Sequence, residues 1–313
     1  MSKKPRIVVV GSLIFDFVAN ADRLPRKGET VVGKSFSMFT GGKGANQAVQ
    51  ASRLGAEVYM IGRVGNDFLG DKILSNLQKD GVSIDFIRKD ETATTAACCI
   101  HVDENGDNAI IISQDANMTC THADIDSAKE VILSADIVIC QLEISMPAII
   151  YAIEMVKSNH IPIILNPAPP VRIPEGLFSG IDVLTPNETE AEFFSGISQK
   201  EDFSDKWEDE SSNKLLETGA RNVIITLGKR GAYIANRERK KTVKGFEIKA
   251  VDATAAGDAF NGALAIAMSE GKSLEDAVKF ANGAGALAAS KSGAQASLCT
   301  RIELDNFMNT REW

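Results

Sequence analysis

The chain has 313 residues, 44% of them hydrophobic and 6% aromatic, which suits one large globular domain and argues against a disordered or fibrous chain. A formal charge of −8 argues against nucleic acid as a partner, because binding a polyanion needs a basic face. Five scattered cysteines, none in a CxxC or zinc spacing and only Cys98 and Cys99 adjacent, predict buried, inert thiols in a reducing cytoplasm.

In chain order, Lys3, Lys4 and Arg6 form a basic cluster that reads as a solvated tail. The apolar run after it stops at Gly11, too short for a signal segment or a membrane span. Ile7–Val10 is a β-branched strand; Ala45–Leu54 reads as a helix and Val58–Ile61 as the next strand. Phe68–Lys79 is amphipathic, with Leu69, Ile73, Leu74 and Leu77 on one face. Short apolar runs at Ile137–Leu142, Ile161–Asn166, Val183–Thr185 and Val223–Leu227 alternate with helical segments. Gln199–Ser212 is acidic and polar, a solvated loop or helix face, with Trp207 anchoring it to the body. Gly257–Met268 and Leu274–Ala289 are Ala/Gly-rich helices able to pack closely. This rhythm predicts an α/β fold, a mainly parallel central sheet with helices on both faces. Two stretches break it. Phe17–Phe39 carries short alternating segments punctuated by Pro25, Gly28 and Gly33, and Thr94–Ser113 reads as a hairpin over Ala96–Val102 and Ala109–Ser113. They predict a small β-lid made of inserted segments 14–40 and 94–114 on a single domain spanning 1–313.

Two small-residue clusters carry the chemistry. In Val251-Asp252-Ala253-Thr254-Ala255-Ala256-Gly257-Asp258, a strand-like run meets a helix start and leaves one carboxylate at the junction. Amides at such a start can face an anion, and the carboxylate can accept a proton from an attacking hydroxyl. An ordinary capped helix start is the bland alternative. Gly41-Gly42-Lys43-Gly44-Ala45-Asn46 has neither P-loop nor dinucleotide-fingerprint spacing. Its bare amides, Lys and Asn suit a polyhydroxylated ligand equally well. His101, His122 and His160 have no partner at metal-ligand spacing, and Ser12 lacks a nucleophile-elbow context.

The first cluster extends into Gln47-Ala48 and is followed by Arg53-Leu54-Gly55-Ala56 and Val64-Gly65-Asn66-Asp67. Together these resemble the N-terminal signature of ribokinase-type carbohydrate kinases, also called the phosphofructokinase B family. Asp252 to Asp258 resembles the C-terminal signature of that family. Between them stand Gln141-Leu142-Glu143, Asn166-Pro167-Ala168-Pro169, Pro186-Asn187-Glu188-Thr189-Glu190 and Thr226-Leu227-Gly228, with Gly293-Ala294-Gln295 beyond. These landmarks are similar in order and spacing from about Ile7 to Ser297.

The resemblance implies ATP-dependent phosphorylation of a sugar's primary hydroxyl, ribose giving ribose 5-phosphate. Same-family alternatives are a kinase for 2-deoxyribose, another sugar or a nucleoside; a non-catalytic sugar-binding regulator is the alternative of another class. By resemblance, Asp258 is the base, with amides around Ala255, Ala256 and Gly257 forming an anion hole. Asp16, Gly42, Lys43, Asn46 and Glu143 hold the sugar. Asn187, Thr226, Gly228, Gly257 and Asn282 lie along the nucleotide, and Glu190 organises Mg²⁺ through water. Asp252, Thr254, Ala288, Lys291, Gly293 and Ser297 match positions that hold a monovalent cation, K⁺, partly through carbonyls. The lid implies a homodimer.

Three further expectations follow from the residues. The helix dipole should depress the Asp258 pKa. Ile14 stands two residues before Asp16, where the family commonly presents Asn. It either faces the sugar and relaxes discrimination against 2-deoxyribose, or packs into the core and leaves recognition to Asp16. Ala253 and Ala255 replace residues common in the family, Thr and Gly, without removing a backbone N–H.

Overall fold

A computed structural model describes residues 4–199 and 206–311, and among these thirteen strands form two sheets. The first half of the chain supplies β1 (Arg6–Val10), β2 (Ile14–Asn20), β3 (Ser35–Gly41), β4 (Glu57–Gly65) and β5 (Val82–Asp90). A hairpin follows, β6 (Ala97–Val102) and β7 (Asn108–Ser113). Next come β8 (Ile137–Cys140), β9 (Ile163–Leu165), β10 (Val183–Leu184), β11 (Asn222–Thr226), β12 (Ala232–Ala235) and β13 (Lys240–Val243).

The large sheet has the order β13-β12-β11-β10-β9-β8-β1-β4-β5. Its pairs are parallel from β11 across to β5. β12 runs antiparallel to both neighbours at the other edge. In β1 the side chains alternate between two cores: Ile7 and Val9 join one cluster, Val8 and Val10 the other. A strand buried on both faces must be apolar throughout, which is why Ile7–Val10 reads as a continuous run. The edges were less legible. β5 mixes Asp85, Arg88 and Lys89 with its apolar residues, and β13 opens with Lys240-Lys241, so neither gives a plain strand pattern.

On one face, the helices Lys43–Arg53, Ala256–Ser269 and Leu274–Ala289 approach closely because small residues line their contacts. A Cβ on Gly262 would stand 2.8 Å from Gln50 Cβ and 2.9 Å from the Gln47 carbonyl oxygen. That contact brings residues 46 and 47 beside residue 258.

The second sheet has the order β3-β2-β6-β7. β2 and β3 pair antiparallel, β6 and β7 form the hairpin, and a parallel β2–β6 ladder joins the two inserted segments into one sheet. Phe36, Met38, Ile110, Ile111 and Ile112 are exposed on it.

Several expectations need correction. Arg6 is not a tail residue: it opens β1, and its guanidinium binds Glu57 and Ser134. Lys3 lies outside the described residues. So do residues 200–205 of the acidic stretch; its remainder is a helix, Lys206–Glu217, that buries Glu208, Ser211 and Ser212. Glu208 sits there because Arg230 pairs with it at 2.5 Å. Trp207 does tie the segment down, donating from Nε1 to the Ile197 carbonyl at 2.9 Å. Four cysteines are buried, and burial pushes the Cys140 thiol up to about 12, but Cys99 is exposed on β6. Among the described residues no helix is long and apolar enough to cross a membrane.

Candidate active site

Asp258 is the third residue of the helix Ala256–Ser269, whose N-cap, Ala255, takes a left-handed conformation at φ 59°. Glycine adopts that conformation at no steric cost, which accounts for Gly being common there. The amides of Ala255, Gly257 and Asp258 have no acceptor among the described residues, whereas Ala256 N–H donates to the Ala253 carbonyl at 3.2 Å. Of the three amides expected to face an anion, Ala256 is thus engaged, while the Asp258 amide joins those of Ala255 and Gly257 in having no acceptor among the described residues. Space in front of Gly257 is open: no atom lies within 4 Å of where a Cβ would be.

The Asp258 side chain is buried and held by two amides. Asn46 Nδ2 donates to one oxygen and Gln47 Nε2 to the other, each at 2.9 Å. Burial raises its pKa above the ordinary carboxylate value, against the opposing pull of Lys43, Asn46 and Gln47. The expectation of a depressed pKa therefore fails. Desolvation acts on the whole charge, and here it exceeds what the neighbouring cation and amide donors return.

The Gly41-Gly42-Lys43 turn places the next groups. Gly42 has φ 91°, and a Cβ there would meet the Ser12 carbonyl and Ile14 nitrogen at 2.9 Å, so only glycine fits. Its helix start is not bare, as had been expected. Lys43 N donates to Glu143 at 3.2 Å, Gly44 N to Ser12 Oγ at 3.3 Å, and Ala45 N to the Ser12 carbonyl at 3.0 Å. Ser12 Oγ in turn donates to Glu143 Oε2 at 2.5 Å, a positioning role the sequence did not signal. Lys43 Nζ lies 3.9 Å from Glu143. Burial disfavours its charge, but Asp258, Glu143 and Glu190 outweigh burial and hold its pKa above the ordinary value.

Asp16, on β2, accepts no hydrogen bond from any described residue. Burial, then the Glu143 charge, push its carboxyl up to about 6. Gly41 lets it approach: a Cβ on Gly41 would stand 2.6 Å from Asp16 Oδ2. Asn46 Oδ1 is likewise buried without a donor. Ile14 packs with Ala96 and Cys98 in a small apolar cluster. Asp16 pairs with Cys98 across β2 and β6, so this cluster adjoins the Asp16 carboxylate rather than the deep core.

Glu190 is buried, and burial pushes it up to about 7 despite Asn187 and Lys43. It forms a capping box with Asn187: Asn187 Oδ1 accepts from Glu190 N at 2.8 Å, and Glu190 Oε2 accepts from Asn187 N at 2.9 Å. An Asn followed three residues later by Glu is a sequence sign of that box, and it was overlooked. A cavity of 810 Å³ runs beside these groups, lined by Thr226, Gly228, Gly257 and Asn282 together with Phe246, Ile248, Ala253, Ala286 and Ala289. Asn282 donates its amide to the carbonyls of Val243 and Lys244 at 3.2 and 3.1 Å, which leaves only its oxygen for a ligand.

The remaining predicted residues form a separate knot. Asp252 accepts from Thr254 N and Gly293 N, both at 2.9 Å, and these bonds hold its pKa low although burial opposes them. The Ala288 carbonyl accepts from Lys291 N at 3.0 Å. Ser297 Oγ donates to the Ala294 carbonyl at 2.7 Å, and the Lys291 side chain pairs with Glu303.

Comparison with known proteins agrees with this fold. The sequence profile of the pfkB family carbohydrate kinases matches residues 4–301. A ribokinase of Staphylococcus aureus is 39% identical over 94% of this chain and 96% of its own. A deoxyribokinase of Salmonella typhi is 32% identical over 98% of this chain and 99% of its own. The structure of Arabidopsis thaliana ribokinase complexed with ribose and ATP superposes with a TM-score of 0.91 at 33% identity, covering 98% of this chain and 99% of that one. With its sugar-kinase relatives matched over nearly the whole length, this chain belongs to the pfkB family of carbohydrate kinases, phosphotransferases with an alcohol group as acceptor.

Proposed function

We propose that the protein transfers the γ-phosphoryl group of ATP to the primary 5-hydroxyl of D-ribose. Asp16 carries the proposal: a half-buried carboxylate with no donor among the described residues is what a set of sugar hydroxyls would satisfy. Asn46 Oδ1, on the side chain that donates to Asp258, has no partner among the described residues and is a second waiting acceptor. Glu143 and Lys43 complete the sugar's surroundings, with Gly42 giving close backbone approach.

In the reaction the 5-oxygen forms a bond to the γ-phosphorus, the bond from that phosphorus to the β-bridging oxygen breaks, and the hydroxyl proton passes to Asp258. A raised pKa suits this task better than a depressed one, since a carboxylate nearer neutrality is the stronger base. The free amides of Ala255, Gly257 and Asp258 face charge on the transferring group. ATP would occupy the 810 Å³ cavity, with its base among the apolar residues and Asn282, and its phosphates toward Thr226, Gly228 and Gly257, beside which Asn187 bridges to Thr226.

Glu143, Glu190 and Asp258 surround one ammonium, Lys43, so a polyphosphate meets net negative charge in the site. A divalent ion fits that imbalance. Mg²⁺, held by Glu190 through water, would neutralise phosphate charge. One carboxylate, Asp252, with carbonyls of Thr254, Ala288, Lys291 and Gly293 and the Ser297 hydroxyl, is an oxygen set of low charge suited to K⁺. We also read residues 14–40 and 94–114 as a lid on a single domain and its exposed apolar strands as a homodimer contact, in a cytoplasmic protein.

A second reading has an observation of its own. Ile14, Ala96 and Cys98 put an apolar wall beside Asp16, which favours 2-deoxyribose over the hydroxyl-bearing sugar. The deciding experiment is ADP release with ribose, 2-deoxyribose, fructose, arabinose and adenosine, with and without K⁺. A kcat/KM for ribose well above that for 2-deoxyribose supports the first reading, and equal or reversed values support the second. Sugar binding without ADP release would reject both.

A further inference from the structure

The Asp258 carboxylate is gripped by two amides, and one of them belongs to Gln47, which has no place in the reading above. Gln47 is wholly buried beneath the site. Its orientation is dictated by a chain of partners. The Thr185 carbonyl can only accept, so it takes a hydrogen from Asn166 Nδ2 at 3.1 Å and turns Asn166 Oδ1 toward Gln47. Asn166 Oδ1 and Asp258 Oδ1, both acceptors, stand 3.2 and 2.9 Å from Gln47 Nε2 and use its two hydrogens. Gln141 Nε2 donates to Gln47 Oε1 at 2.7 Å. Turning the Gln47 amide over would set oxygen against two acceptors and nitrogen against a donor, which the buried setting makes costly. Gln141 is itself wedged against Gly11, where any Cβ would collide with its Oε1.

We infer that Gln47, backed by Asn166 and Gln141, is the positioning residue that aims the Asp258 carboxylate at the acceptor hydroxyl. This rests on Asp258 being the proton acceptor. A carboxylate oxygen carries about two lone-pair sites, so the grip occupies one on each oxygen and leaves the others for the hydroxyl. Charged groups press on Asp258 from several elements: Lys43 from its own helix, Glu143 after β8, and Glu190 from the helix Glu188–Ser195. Asp16 on β2 acts at one remove, through Glu143. With one ammonium set against these carboxylates, the neutral donors Asn46 and Gln47 add to the pull of Lys43 toward the ionised form of Asp258.

The test uses the full chain and follows kcat against pH at saturating sugar and MgATP. Gln47→Met keeps the volume and removes the donor. It is expected to lower kcat about 10–100-fold, to change the sugar KM by less than about threefold, and to move the acid limb upward by about one pH unit. Gln141→Met leaves both amides on Asp258 and frees only the support of Gln47. It should move the limb the same way by a smaller step, and it carries the test if Gln47→Met does not fold. An unmoved acid limb in the folded variants, or loss expressed in KM alone, would reduce Gln47 to a packing residue. Asp258→Asn run in parallel separates the two ideas: near-normal turnover there removes Asp258 as proton acceptor, whatever Gln47 does.

Discussion

Replacing Asp16 with Asn should make the protein more stable and less able to use its sugar, and both effects can be sized. Burial and Glu143 push the Asp16 carboxyl from 3.8 up to about 6. Between these two values the folded state holds a proton that the unfolded chain has released. Stability therefore falls as pH rises through that window, and the penalty is complete above the folded value. The span corresponds to about 3 kcal/mol at most, and about 1–3 kcal/mol after allowing for solvent screening of a group that is only partly buried. Asp16→Asn removes the penalty, so the apo protein should melt about 2–5 °C higher at pH 8, with little gain at pH 4. Sugar hydroxyls donating to a carboxylate are worth about 1.5–3 kcal/mol, so kcat/KM for the sugar should fall about 10–100-fold. Wild-type kcat/KM should also lose about tenfold per pH unit below 6, a limb the variant should flatten. Melting curves at pH 4 and 8, beside sugar kinetics from pH 5 to 8, test this. A variant that is no more stable at pH 8 and keeps its sugar kcat/KM within about threefold would refute the reasoning.

Other perturbations probe separate parts of the argument. Gly262→Ala puts a methyl 2.8 Å from Gln50 Cβ and 2.9 Å from the Gln47 carbonyl, so the two helices must part. We expect about 1–3 kcal/mol of lost stability by urea titration and a lower kcat, because Asn46 and Gln47 retreat from Asp258. Asp252→Asn removes the carboxylate that accepts from Thr254 N and Gly293 N. Activation by K⁺ over a bulky organic cation should disappear; equal activation in wild type and variant would dissociate Asp252 from cation binding. Ile111→Asp places a charge at the exposed centre of β7 and should weaken self-association by at least about tenfold in sedimentation, with monomer folding unaffected. A wild-type chain that sediments as a monomer would remove the lid contact.

The alternating fold and both small-residue clusters were legible in the sequence because each depends on local pattern. Apolar runs such as Ile7–Val10 and Ile137–Cys140 mark strands buried on both faces, and the Gly-Gly-Lys-Gly turn and the Asp258 helix start are short segments with their own conformational demands. The β6–β7 hairpin was visible for the same reason, as was the helix Phe68–Lys79. The three-dimensional structure decided what depends on residues far apart in the chain. The parallel β2–β6 ladder joins two insertions that no local pattern connects. Ser12 reaches Glu143, and Gln47 reaches Asp258 and Asn166, only because the helices and the sheet bring them together. Ile14 showed its place beside Asp16, at the edge of the site, only once Ala96 and Cys98 closed over it. The sign of the Asp258 shift was decided in the same way. A helix start predicts a lowered pKa from sequence, but desolvation depends on what packs around the charge, and that burial outweighs the pull of Lys43, Asn46 and Gln47.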